Sequence, residues 1–191
     1  MRSPALSILS RCTAGLLALV AFLALLWSQR PPIGADLFAR KYDVHLSPAV
    51  RGHLTLNGKP ASGVVVIREL EYGESYIDQT RSDANGEFHF AARRIRSTLP
   101  GRPFGGELRV FQQLYVVMES EPKQLWWAHP IGITPNQALS QRLARLHCEL
   151  SDERALFHVA SVEHPDDHHS ISTICRWPQD PVTGNRRPWI P

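Results

Sequence analysis

Residues 52–67, GHLTLNGKPASGVVVI, and residues 79–90, QTRSDANGEFHF, decide the fold. Leu54 and Leu56 alternate with polar neighbours, the period of a strand with one apolar face. Asn57-Gly58 follows, and both residues tolerate the positive φ that a type I′ hairpin turn requires. Val64–Ile67 is a β-branched run of strand length. Ile77–Ser82 predicts a further strand. Asp83-Ala84-Asn85-Gly86 is a turn signal, and Glu87–Phe90 alternates behind it with Phe88 and Phe90 on one face.

The same pattern continues downstream. Tyr72-Gly73 begins a polar connection. Glu107–Phe111 and Leu114–Met118 read as one long, bulged strand, and Gln124–Ala128 as a short aromatic strand. Pro135–Ser140 fits one helical turn. Arg142–Leu150 is ambiguous: Leu139, Leu143 and Leu146 are helix-spaced, whereas Leu146, Cys148 and Leu150 alternate like a strand. Ala155–Ala160 and Ile171–Arg176 complete eight or nine short strands. The fold class is mainly β, an antiparallel β-sandwich over 51–177. Residues 31–50 read as a tether and entry segment leading into it, and the Pro-rich residues 178–191 as a loosely ordered tail.

Thr13–Trp27, TAGLLALVAFLALLW, carries no charge. A helix from Cys12 to Ser28 reaches roughly 25 Å, the low edge for crossing a bilayer. Arg2 and Arg11 precede it, as in a signal sequence. The following Trp27-Ser28-Gln29-Arg30-Pro31-Pro32 offers no small-residue cleavage pattern. Residues 1–30 therefore read as an uncleaved signal anchor with one transmembrane helix at about 12–28. Basic residues are nearly balanced across it, so the signal-like order sets the orientation: a single pass through the inner membrane, with the C-terminal domain in the periplasm.

The formal net charge of +3 belongs to this flank. Arg2, Arg11 and Arg30 are three of the 21 basic residues, and their removal leaves 18 basic against 18 acidic. A neutral body argues against a nucleic-acid partner.

The first motif pair resembles the carboxypeptidase regulatory-like, or transthyretin-like, domain. The matching positions are Asn57, Gly58, Pro60, Gly63, Val64 and Val66, then Thr80, Asp83, Gly86, Phe88 and Phe90. Leu146-His147-Cys148-Glu149-Leu150 and Cys175-Arg176-Trp177 are similar to motifs of membrane-anchored proteobacterial envelope proteins. The resemblance implies a transthyretin-like sandwich, exported or membrane-anchored, without assigned catalysis. The hydroxyisourate-hydrolysing branch ends in Tyr-Arg-Gly-Ser; this chain ends Arg187-Pro188-Trp189-Ile190-Pro191.

Cys148 and Cys175 form an even pair beyond an export signal and predict a disulfide. His164, His168 and His169 are candidate metal ligands, although Pro165 within their segment suits a solvated loop. Trp126 and Trp127 are adjacent, so in a regular strand one points into the core and the other outward, where it can anchor a partner. Arg93, Arg94 and Arg96 form the local basic patch, suited to an acidic partner or to protecting a sheet edge. G-x-S-x-G, S-x-x-K and H-E-x-x-H are absent from the sequence. The expectation is a non-enzymatic envelope module that binds another envelope protein and uses no cofactor. The alternatives are an envelope hydrolase or metal-dependent enzyme using the His-rich loop, and an immunity protein against a secreted toxin.

Overall fold

The computed structural model describes residues 40–102, 109–118 and 121–177, and the backbone of 187–188. The expected anchor over 1–30, its helix at about 12–28, and most of the tail lie outside these residues. Among the described residues no helix is long and apolar enough to cross a membrane.

The strands in chain order are β1 (Tyr42–Ser47), β2 (Val50–Leu56), β3 (Lys59–Pro60), β4 (Val65–Tyr72), β5 (Glu74–Arg81), β6 (Glu87–Phe90) and β7 (Arg93–Ser97). They continue as β8 (Phe111–Met118), β9 (Glu121–Ala128), β10 (Leu146–Glu149), β11 (Ala155–Ala160), β12 (His168–Thr173), β13 (Cys175–Arg176) and β14 (Arg187–Pro188). One helix, α1 (Gln137–Leu143), lies between β9 and β10. An antiparallel seven-stranded sheet runs β14-β11-β12-β9-β8-β4-β5. A five-stranded sheet runs β13-β10-β2, with β6 and β3 sharing the other side of β2. β1 and β7 form a separate antiparallel pair.

Strand alternation builds the core. Leu54, Phe88, Phe90, Leu146 and Cys148 from the five-stranded sheet meet Val66, Leu114, Val116, Trp126 and Ile171 from the seven-stranded one. A second cluster joins Val44 and Leu46 of β1 to Leu70 and Tyr72 of β4. β1 thus lies in the C-terminal half of the segment 31–50 expected as a tether and entry segment, with Val44 and Leu46 fully buried.

The turns form where their residues dictate. Asn57 and Gly58 have φ of 53° and 74°. The Asp83 carboxylate accepts from the Asn85 and Glu87 amides, each at 2.8 Å. Gly86 follows at φ 80°, and a Cβ there would strike the Leu54 carbonyl.

Three expectations are corrected. The sheet is not purely antiparallel, because β10 lies parallel to β2, with Leu146 beside Gly52 and Cys148 beside Leu54. A parallel neighbour cannot arrive by a hairpin; α1 lies in the connection from β9 and buries Ala138, Leu139 and Leu143. The ambiguity over Arg142–Leu150 resolves accordingly, with helix through Leu143 and strand from Leu146. Tyr72-Gly73 does not begin a polar connection: β4 and β5 form a tight hairpin around Gly73. Glu71, Ser75, Gln79 and Arg81 are exposed on one face of this pair, whereas Arg68 on the other face is buried.

The third correction concerns Ile171–Arg176, expected as one strand. It breaks at Ile174 and changes sheets, β12 ending in one and β13 beginning in the other. The register of β8 on β9 slips between Leu114 and Tyr115, which oppose Trp126 and Gln124. Leu125 is therefore an extra residue, and Leu125 and Trp126 are both buried despite being adjacent. The Leu125 carbonyl accepts from Thr173 Oγ1 at 2.5 Å and from the Ile174 amide at 3.3 Å. The bulge thus holds the chain where it crosses.

Candidate functional site

An open groove of about 900 Å³ lies along β2, β6 and the start of β10 in the five-stranded sheet. Phe88 and Leu146 belong to its floor together with Gly52. Gly52 stands opposite Phe88 in the ladder, and a Cβ at residue 52 would overlap the Phe88 ring. The missing side chain is what allows that ring to lie across β2.

Residues between the core positions present polar groups to the groove. His147 lies beside His53, and His53 lies opposite Glu87, so one row crosses β10, β2 and β6. The two imidazole centroids are 5.9 Å apart. In the next row Arg51 lies opposite His89, and Arg145 precedes β10. Arg81 and Asp83 form part of the rim. Arg81 Nη1 donates to the Gly63 carbonyl at 2.5 Å, and Asp83 is held by its turn.

Arg51, His53, His89 and His147 make no side-chain hydrogen bond or ion pair among the described residues. Three guanidinium groups (Arg51, Arg81, Arg145) thus face two carboxylates (Asp83, Glu87) around the groove. Imidazole and guanidinium N–H groups can donate to an oxyanion. A hydrolytic triad instead needs a nucleophile hydrogen-bonded to a base that a third group orients. Among the described residues the lining hydroxyl is that of Thr80, and no carboxylate hydrogen-bonds an imidazole of the groove.

Beyond this row, Glu149 ties β10 to the first turn. Its carboxylate accepts from the Asn57 and Gly58 amides, each at 2.9 Å, and from the Ser151 amide and hydroxyl at 3.0 and 2.7 Å. Burial pushes its pKa up, but these hydrogen bonds outweigh it and hold the group down at about 2. This is a structural clamp outside the groove.

The residues singled out from sequence fall in separate places. Cys148 and Cys175 are direct partners in the β10–β13 ladder and form a disulfide, with Cα atoms 4.0 Å apart. His164 and His168 are exposed, whereas His169 is half-buried. Asn136 caps α1, its Oδ1 accepting from the Leu139 amide at 2.9 Å. Its Nδ2 lies 2.6 Å from His169 Nε2 and donates to Glu163 at 3.1 Å. The three histidines do not converge. Among the described residues no group of three or more His, Cys, Asp or Glu is placed to hold a metal ion.

Trp126 is fully buried and packs edge-on against Trp177, so it offers no surface to a partner. Trp127 is half-buried, with its ring 4.8 Å from that of His129. Arg93 lies over Tyr76, Arg94 faces His45, and Arg96 pairs with Asp43 at 3.7 Å. These arginines occupy β7, bonded to β1, and no described contact joins them to Trp127.

The groove was not anticipated. His53, His89 and His147 are isolated in sequence, each alternating with core residues, and Arg51 stands alone beside them. The polar alternation was legible; the parallel register that places His147 beside His53 was not.

No curated protein and no solved structure matches the chain. A family profile described as a domain of unknown function, DUF6795, matches residues 50–153, which run from β2 past β10 and include most of the groove. The chain belongs to the DUF6795 family.

Proposed function

We propose that this protein is a non-enzymatic binding module of the cell envelope, tethered to the inner membrane by its N-terminal segment with the β-domain in the periplasm. The observation that carries the reading is the groove over β2, β6 and β10, where Arg51, His53, His89 and His147 have no described polar partner. A volume of about 900 Å³ is in the range of ligand sites. The Cys148–Cys175 disulfide supports an oxidising compartment, and the uncharged Thr13–Trp27 segment supports a membrane tether. The turns at Asn57-Gly58 and Asp83–Gly86 support the carboxypeptidase regulatory-like reading of β2–β6.

The test is site-specific photocrosslinking in cells expressing the full chain. A crosslinker replacing Arg51 is expected to capture a defined envelope protein. One replacing Ile77, exposed on β5, is expected not to capture it. Identical captures from both positions, or none from position 51, overturn the reading.

A further inference from the structure

We propose that the groove receives an extended acidic peptide, whose carboxylates are held along the row formed by Arg145, Arg51 and His89. This rests on the binding-module reading and names the chemistry of the partner.

The argument begins with spacing. Arg145 directly precedes Leu146, which pairs with Gly52, so the β10–β2 register carried one residue back sets Arg145 beside Arg51, and Arg51 pairs with His89 of β6. Neighbouring strands lie about 4.8 Å apart, so the row extends over roughly 10 Å. One phosphate or carboxylate does not bridge that distance. Alternate side chains of an extended peptide stand about 6.5–7 Å apart, so two carboxylates on one face fit within it. Arg51 has its donor fork uncommitted, and a guanidinium pairs a carboxylate through two parallel N–H bonds. His89, opposite Arg51, adds a donor on the next strand.

The surroundings favour a peptide over an anionic membrane. Glu87 and Asp83 also line the groove. A lipid headgroup plane would meet these carboxylates together with the arginines, whereas a single chain can follow the basic row and pass beside them.

The probe is fluorescein-labelled hexaglutamate, followed by fluorescence anisotropy on the full chain in nanodiscs of zwitterionic lipid. Saturable binding is expected, with none for labelled hexalysine. Arg51→Glu is expected to weaken binding roughly tenfold or more, while Glu87→Gln, which removes a competing carboxylate, tightens it about two- to threefold. Arg94→Glu makes the same charge change on β7 and is expected to leave affinity unaltered. Equal losses from Arg51→Glu and Arg94→Glu reduce the effect to overall charge and overturn the proposal. Failure of hexaglutamate to bind also overturns it, as does full displacement by millimolar inorganic phosphate or glycerol 3-phosphate, which assigns the groove to free phosphate or a lipid headgroup. If hexaglutamate fails while the crosslinker at position 51 still captures a protein, the acidic class is wrong and the binding-module reading stands.

Discussion

Arg68 and Asp78 face each other across the β4–β5 ladder and form a bidentate ion pair, Nε to Oδ1 at 2.9 Å and Nη2 to Oδ2 at 2.5 Å. The arginine side chain is 3% exposed and the aspartate 36%. Arg68 Nη1 also donates to the Ala91 carbonyl at 2.8 Å, and the guanidinium lies over the Phe90 ring. One buried cation thus connects the seven-stranded sheet to the chain leaving β6. The asymmetry in exposure makes the two halves of the pair unequal. Asp78→Ala strands a buried charge and is expected to cost about 3–5 kcal/mol in urea unfolding. Arg68→Met leaves a carboxylate that water can reach and is expected to cost less. The reverse order would show that the guanidinium is not the desolvated partner.

The disulfide predicts a second measurement. Cys148 and Cys175 are 27 residues apart in sequence. Closing a loop of that size in the unfolded chain stabilises the fold by about 3–4 kcal/mol. Replacing both cysteines by Ala, or adding reductant, is expected to lower Tm by roughly 10 °C. An unchanged Tm under reductant, with free thiols confirmed by mass spectrometry, would contradict this.

Glu149 predicts an acid dependence. Its folded pKa of about 2 lies below the ordinary 4.5. A depressed carboxyl contributes stability that is complete above the unfolded value and lost as pH falls through the folded one. Glu149→Gln is therefore expected to be less stable than wild type at pH 7. The gap should close between about pH 5 and pH 2. A gap independent of pH would place the loss in shape rather than charge.

His169 predicts a dependence nearer neutrality. Asn136 presents its Nδ2 to His169 Nε2 at 2.6 Å, so that nitrogen must accept and the imidazole is neutral. Burial lowers the His169 pKa from its ordinary 6.5, against the opposing pull of Glu163 and Asp167. The unfolded chain then takes up the proton first, and stability falls as pH drops below 6.5. His169→Gln retains an acceptor for Asn136 and removes the titration. Compared with wild type across pH 8 to 5, it is expected to become relatively more stable toward the acid end. Parallel Tm profiles would remove His169 as the cause.

The sequence resolved what depends on near neighbours. Asn57-Gly58 and Asp83–Gly86 set their turns because few residues accept positive φ or bond back to their own backbone. Alternation marked Glu87–Phe90 and Ala155–Ala160, which are β6 and β11 to the residue. The β4–β5 hairpin is equally local, yet the polar residues after Gly73 read as a connection, and Glu74–Tyr76 belong to β5 instead. The cysteine pairing followed from an even number of cysteines after the expected export signal.

The groove and the sheet exchange depend instead on pairings between distant segments. Alternation says that His53 and His147 leave the core; it does not say that they leave it side by side. That depends on β10 entering parallel to β2 after α1, a register set by core packing rather than by any turn. The Leu125 bulge likewise overrides alternation, burying two consecutive residues because one sits outside the β8 ladder. The chain's alternating pattern selected a β fold with its tight turns and paired cysteines. Which outward side chains came to share a groove was decided by long-range strand pairing, because the period of two is the same for every neighbour a strand might take.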